Sequence, residues 1–451
     1  MLFTTKRALL PIGVTLSLVL AACGADTTAS PSPAGPDATD PAATDPAETS
    51  EPTAACDGVD SISFTHTMND QESPVIAEIA QGFEGTTVEV TQIPFDGAQQ
   101  AYDQQAAGGE APDVFRAEIA WIADYADKGY LIDLTGLVPQ EEWDDYLEGP
   151  LAYGQWQGGT YAIPQVTDAL ALLYNVRLFE EAGVDVPDTM DELIEVGETI
   201  EAETDVDSAF YMRGDAYWLQ PFLWAFGGGL FNTDEEGNVT EILVNNEGSV
   251  EGLTFLLEDV LGTIAPENVD FANDYGNAMT AFKAGDVAMI LNGPWSTADA
   301  LSGEEFTDPD NLGVAVIPAG PGGERGSPIG GHSYVVYAGI QDEARQQCAV
   351  EFARYLSSAE NQGRLATELN LLPTRTSAYE LPEVQQSRLI ADFQAVIENA
   401  TPRPVVPEGG AIYAEFGPNF QAAWTGDKTP QQALDDVAAA WETLLAGRIG
   451  Q

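Results

Sequence analysis

Cysteine, histidine and basic residues are scarce in this chain. Its 451 residues hold three Cys, two His and 16 Lys plus Arg, against 73 Asp plus Glu. The two His lie far apart in sequence and there is no His-Glu-x-x-His segment, which argues against a histidine-built metal centre. There is no Gly-x-x-x-x-Gly-Lys-(Ser/Thr) phosphate loop and no Gly-x-Ser-x-Gly nucleophile elbow. Gly227-Gly228-Gly229 reads as a helix stop rather than a nucleotide fingerprint. The formal charge of −57 would repel nucleic-acid phosphates and disfavours an anionic ligand. So many acids read as a solvated surface that favours solubility. No cofactor, no metal and no nucleic-acid partner are expected.

The first residues point to a compartment. Lys6 and Arg7 precede an apolar run, Ala8 to Leu20, too short for a convincing spanning helix and laid out as a secretory signal. The run ends in Leu20-Ala21-Ala22-Cys23, which resembles the bacterial lipobox. That resemblance implies a signal peptide over 1–22, lipidation of Cys23 and attachment to the outer face of the cell membrane. Residues 23–56, rich in Ala, Thr, Pro, Ser, Asp and Glu and free of aromatics, cannot bury enough apolar surface to fold and read as a tether. No later run is apolar and long enough to cross a bilayer. Cys56 and Cys348 remain; an oxidising compartment permits a bond between them, and the sequence does not show that they are close.

About 395 residues follow the tether, which suits two lobes better than one core. Hydrophobic content of 44% and aromatic content of 9% fit a folded body. Ser61 to Thr65 alternates as a strand. Ser73 to Phe83 places Val75, Ile76, Ile79 and Phe83 at helical spacing. Thr87 to Ile93 alternates again. Ala98 to Ala107 reads as a helix stopped by Gly108-Gly109, and Pro112 to Phe115 opens a third strand. This β-α-β-α-β rhythm is that of a parallel α/β sheet, in which ligands bind beyond the carboxyl ends of the strands. Thr67 to Glu72 and Arg116 to Trp121 lie at such ends. A second α/β region begins near Ala169, with strands at Leu170 to Tyr174 and Val287 to Ile290. Its helices are near 190–200, 218–226, 249–261 and 275–284. Further helices are expected over 344–356, 358–368 and 430–445.

Several segments resemble the extracellular solute-binding proteins of sugar ABC transporters. Gly159 to Pro164 with Asp168 to Asn175, Ala281 to Met289, Asn292-Gly293-Pro294-Trp295, Ile329 to His332, and Leu372-Pro373-Thr374-Arg375 are similar to that family's signatures, in the family order. The resemblance implies an α/β periplasmic-binding-protein-like fold of the maltose-binding type, two lobes closing on ligand across a hinge. Lobe 1 is expected over about 57–166 and 334–372, and lobe 2 over about 167–333 and 373–451. It further implies no enzyme activity, an oligosaccharide ligand of maltooligosaccharide or galactan type, permease subunits as partners, and a monomer.

A sugar shows an apolar face of C–H groups and a rim of hydroxyls. Its site needs aromatic platforms, with carboxylates and amides at the rim. By the resemblance, Trp295 is the family's stacking Trp; otherwise it is a core Trp beside its strand. Asp215, Tyr217 and Trp218 fall where the family carries a Glu-Pro-Tyr-Phe segment. Here Asp stands for Glu and Ala216 for Pro, and Asp215 is a ligand contact, a helix N-cap, or both. Tyr217 is the binding aromatic, while Trp218 and Trp224 belong to the core. Tyr413 falls at a stacking position, with Phe416 the alternative. Asp168 matches an acidic hinge residue facing the cleft, or is a solvated acid. Asn69 and Glu72 are either rim contacts or a capping box. Glu118 and Trp121 lie in the third strand-end loop, where Trp121 is equally the packed face of a helix. His332 follows a close backbone turn near the cleft. Arg375 reaches a sugar hydroxyl or pairs with an acid.

Two other readings compete. A secreted glycoside hydrolase would use a pair of carboxylates and the same aromatics, but eight clean β-α units for a barrel are missing. The other is a binding protein of the same fold for a metal, phosphate or other non-sugar solute.

Overall fold

The computed structural model describes residues 55–234 and 237–449, which fall in one compact unit, Glu51–Gln451. The expected signal peptide, Cys23 and all of the tether before Ala55 lie outside the described residues. Ten strands build two sheets: β1 Ser61–His66, β2 Thr87–Gln92, β3 Val114–Glu118, β4 Ala162–Ala169, β5 Ala171–Asn175, β6 Ser208–Tyr211, β7 Val287–Asn292, β8 Leu312–Ala315, β9 Ile329–Val336 and β10 Leu372–Pro373. The first sheet has the order β10-β4-β9-β3-β1-β2 and the second β8-β5-β7-β6.

The β-α-β rhythm is confirmed where β1 pairs in parallel with both β2 and β3. The sheet as a whole is mixed. β9 arrives from the other sheet and inserts antiparallel between β3 and β4, a placement local periodicity does not encode. β1 buries Ile62, Phe64 and His66 and leaves the alternate residues half-exposed. β4 is buried at all positions, as a central strand covered on both faces is. Helix α1, Ser73–Gln81, has Pro74 in its first turn and turns Ile76, Ile79 and Ala80 to the core, the spacing of one helical face. Helix α2, Ala98–Gly108, ends at Gly109 in the left-handed conformation (φ 79°), as the Gly-Gly pair predicts. Helix α3, Ile119–Asp127, starts directly after β3, so Arg116 and Glu118 belong to the strand and its end rather than to a loop.

The chain passes from β4 through Leu170 into β5, and from β8 back into β9. Beyond β10, the helix Arg388–Glu398 packs on β8, and Thr401 then bridges to Pro328 beside β9. Helix α4, Ala216–Ala225, follows β6, helix α5 is Glu343–Leu356, and helix α6 is Tyr413–Trp424. One apolar core gathers Phe64, Phe352 and Leu356 on the first sheet; another gathers Phe222, Phe416 and Trp441 behind the second. A disulfide joins Cys56 to Cys348 on α5, across 292 residues of sequence. Among the described residues no helix is long and apolar enough to cross a membrane.

Candidate ligand-binding site

The carboxyl ends of β1, β2, β3 and β4 share one edge of the first sheet, as does the amino end of β9. In the second sheet the ends of β6 and β7 share an edge with the start of β5. Because β4 continues into β5 through Leu170, the two edges lie side by side. Asp168, near the end of β4, is where they meet.

Asp168 is buried, and among the described residues no group donates a hydrogen bond to its carboxylate. It lies against Gly330, its register partner on β9. A Cβ on Gly330 would stand 2.1 Å from Asp168 Oδ1 and 2.7 Å from the Tyr217 hydroxyl, so a glycine is required for the two side chains to converge there. Burial lifts the Asp168 pKa to about 7; Arg403 and Arg116 pull it down, and Glu118 and Glu72 push it up.

Arg403, between Pro402 and Pro404, was not flagged by any sequence motif. Its backbone N–H donates to the Tyr153 hydroxyl (2.8 Å), its Nε to the carbonyl of Ile329 (2.8 Å), and its Nη2 to Glu118. The guanidinium lies 5.4 Å from the Tyr217 ring centre. Burial opposes its charge, but Glu118 and the Tyr413 and Tyr217 phenols outweigh that and hold its pKa well above the usual arginine value. Glu118 also caps α3, accepting from the Ala120 N–H (2.9 Å). Tyr217 donates to the carbonyl of Pro328 (3.1 Å), and Tyr413 accepts from Gln220 (2.9 Å). Asp168, Tyr217, Glu118, Tyr413 and His332 thus gather around one buried guanidinium. His332 is driven well below its usual pKa by burial and by Arg116 and Arg403. Both its ring nitrogens are buried without a partner.

Asp215 caps α4 by accepting from the Tyr217 N–H (2.8 Å). Burial raises its pKa; Arg213 and that N–H oppose the rise. The cap therefore aims Tyr217 at the cluster. Trp295 follows the Asn292-Gly293-Pro294 turn at the end of β7 and is half-buried. Its ring stands edge-on to the buried Trp218 (6.4 Å, 87°), and its carbonyl accepts from Asn69 Nδ2 across the two edges (3.0 Å). Asn69 and Glu72 bond reciprocally across the turn that leads into α1: Asn69 Oδ1 accepts from the Glu72 N–H (3.0 Å), and Glu72 Oε2 from the Asn69 N–H (3.1 Å). Glu72 is turned inward and buried, with Oε1 unpartnered.

Arg375 and Trp121 each take the second of the two roles expected for them. Arg375 is buried away from the cluster. It donates to the Ser357 carbonyl (2.7 Å), Asp145 (3.2 Å), Glu142 (3.3 Å) and the Tyr146 hydroxyl (2.8 Å), and stacks over Tyr146 at 4.3 Å. Four of its five N–H donors are thus engaged within the protein. Trp121 is no open platform either. It is buried, 5.2 Å from the Phe95 ring and 6.4 Å from Phe115.

The described residues hold no group of three His, Cys, Asp or Glu placed to bind a metal. A cavity of about 830 Å³ lined by Trp156, Asn232, Thr233 and Arg448 shares only Arg403 with the cluster. It holds none of the platforms or carboxylates described above, so the site is assigned to the two strand edges.

A match to the bacterial extracellular solute-binding protein family covers residues 67–363. The chain belongs to that family. The match includes Asn69, Asp168, Tyr217, Trp295 and His332 and stops short of Arg403 and Tyr413. The solute-binding fold is confirmed by the GacH receptor of Streptomyces glaucescens, whose structures are unliganded or hold acarbose or an acarbose homologue. That receptor is 36% identical, with a TM-score of 0.80 over 86% of this chain and 98% of its own. The maltotriose-binding protein of Pyrococcus abyssi is 26% identical over 79% of this chain and 76% of its own. The maltodextrin-binding protein MdxE of Bacillus subtilis is 26% identical over 78% and 82%. The fold is thus the two-lobe α/β type expected.

Proposed function

We propose that this solute-binding protein captures a neutral oligosaccharide, of maltooligosaccharide or galactan type, and presents it to the permease subunits of an ABC importer without cleaving it. The observation that carries this reading is Asp168, a buried carboxylate without an internal donor, set beside Tyr217 at the meeting of the two edges. Its carboxylate oxygens, in a residue 8% exposed, remain open to the cleft, and no protein donor competes with sugar hydroxyls for them. Trp295 and Tyr413 supply ring faces, and Glu118 and Asp215 further acceptors. The acidic body disfavours an anion. In this reading lobe 1 is about 57–166 and 334–372, lobe 2 about 167–333 and 373–451, and ligand draws them together because it binds the closed form better. Residues 1–22 direct export, acylated Cys23 holds the monomer at the outer face of the cell membrane, and residues 24–54 form the reach between lipid and domain, a tether shorter than expected because Cys56 is buried and bonded to Cys348.

Thermal unfolding against a panel of neutral glycans tests the reading. Maltose, maltotriose, trehalose, lactose, galactobiose and arabino- and xylo-oligosaccharides make up the panel. A ligand at 100 times its Kd adds about 2.7 kcal/mol, a shift of several degrees, and the glycan is recovered whole. A shift produced only by a metal or a phosphorylated solute contradicts the sugar assignment, and a cut glycan favours the hydrolase.

Binding also depends on pH. Sugar hydroxyls bond most strongly to an ionised carboxylate, so affinity rises as pH climbs through the Asp168 pKa of about 7. Only about a tenth of the sites are ionised one unit below that value, and affinity at pH 6 is about tenfold weaker than at pH 8. Asp168→Asn removes this dependence. The sign for stability is the reverse: the raised carboxyl costs the empty protein stability as pH rises from 3.8 towards 7. Glycan titrations at pH 6, 7 and 8 check the first sign, and urea unfolding of the empty protein between pH 4 and 7 checks the second.

A further inference from the structure

We propose that Phe95 is an outer sugar platform of the cleft, stacking a unit beyond those held at Trp295 and Tyr217 and so favouring longer oligosaccharides. This rests on the oligosaccharide reading above. Among the described residues four large hydrophobic side chains are exposed, and Phe95, at 45%, is the only aromatic one. A lone exposed ring needs no explanation by itself; this one is held rigidly in place.

Three things fix it. The turn after β2 is tight: Pro94 restricts the backbone before it, Gly97 takes a φ of 84°, and the Ala98 N–H closes on the Phe95 carbonyl at 3.0 Å. The ring stacks on buried Trp121 (5.2 Å, 29°) and meets His332 edge-on (6.0 Å, 73°). Behind it the stacking continues inward, Trp121 to Phe115 (6.4 Å, 10°) and Phe115 to Tyr102 (4.6 Å, 12°). Phe95 is the exposed end of a run of near-parallel rings rooted in the core.

Its place is the cleft mouth. His332 belongs to the cluster around Asp168 and Arg403. The next residue, Asp96, lies 3.8 Å from Arg213, which follows β6 on the other edge and sits over Trp218 (5.3 Å). The ring therefore has acceptors and donors at its margin, as a pyranose with an apolar face and a hydroxyl rim requires. Phe95 makes no ring contact with Trp295, Tyr217 or Tyr413 among the described residues, so it is a platform separate from theirs.

The test titrates the full chain and its Phe95→Ala and Phe95→Trp forms with a disaccharide and a tetrasaccharide of each series, maltose with maltotetraose and galactobiose with galactotetraose. Phe95→Ala is expected to weaken the bound tetrasaccharide about tenfold, the worth of one stacked ring, and its disaccharide less than twofold. Phe95→Trp restores the tetrasaccharide. Equal loss for both lengths, or no loss for either, overturns the proposal, and leaves the sugar reading standing if Trp295→Ala still weakens binding at least about thirtyfold. Binding of neither series by the unaltered protein overturns the reading itself, and the proposal with it.

Discussion

Trp295→Ala is expected to weaken glycan binding by about 2–4 kcal/mol, thirtyfold to several hundredfold, while leaving the protein folded. The magnitude follows from the ring's place. Trp295 is half-buried and packs against the apolar cores of both sheets. Its carbonyl is tied to Asn69 at 3.0 Å and its edge rests near Trp218, so little order is lost when a sugar lands on it. The ring also folds back over Gly293, where a Cβ would stand 2.1 Å from it. Calorimetric titration gives the loss in affinity, and unfolding of the empty variant tests that the loss is not misfolding. An unchanged affinity would mean that Trp295 is core alone.

Arg403→Met is expected to destabilise the empty protein by about 3–5 kcal/mol, because it leaves the Glu118 carboxylate buried without its cation. Both partners are deeply buried, with 6% and 11% of their side chains exposed. Solvent is poorly placed to take over from the guanidinium. The substitution also removes the bond to the Ile329 carbonyl and the cation over Tyr217, so affinity for glycan falls with stability. The double variant Arg403→Met, Glu118→Gln recovers much of the stability, since no buried charge is then left alone. Urea unfolding measures both. A loss below about 1 kcal/mol, the worth of a surface pair, would show that the pair is effectively solvated and that the site is not organised around Arg403.

These residues show what a linear reading reaches. Tyr217, Trp295 and Asp168 were reached through the family resemblance, and only Trp295 also follows a strand, Val287 to Ile290, that periodicity predicts. Strand ends are where an α/β sheet leaves room for ligand. Phe95 obeys the same rule, closing the turn after β2, and Pro-Phe-Asp-Gly at that point was the available signal. Arg403 had none. It sits in an aperiodic Thr-Pro-Arg-Pro stretch, and its partners Glu118, Ile329 and Tyr153 are at least 74 residues away in sequence. For Arg375 the sequence left two roles open: a local resemblance places the residue but does not reveal that Glu142, Asp145 and Tyr146 engage its donors. The same distance in sequence hid the Cys56–Cys348 bond and the antiparallel insertion of β9 between β3 and β4.

The central claim is that the cleft at Asp168 holds a neutral oligosaccharide intact. Calorimetric titration of the protein at pH 8 with the glycan that raises its unfolding temperature, followed by recovery of that glycan, tests this most directly. The account predicts one glycan per chain, recovered uncut, with binding weakened at least about thirtyfold in Trp295→Ala and about tenfold at pH 6. Heat from a phosphorylated solute or a metal but from no neutral glycan, or a glycan returned in pieces, would contradict it.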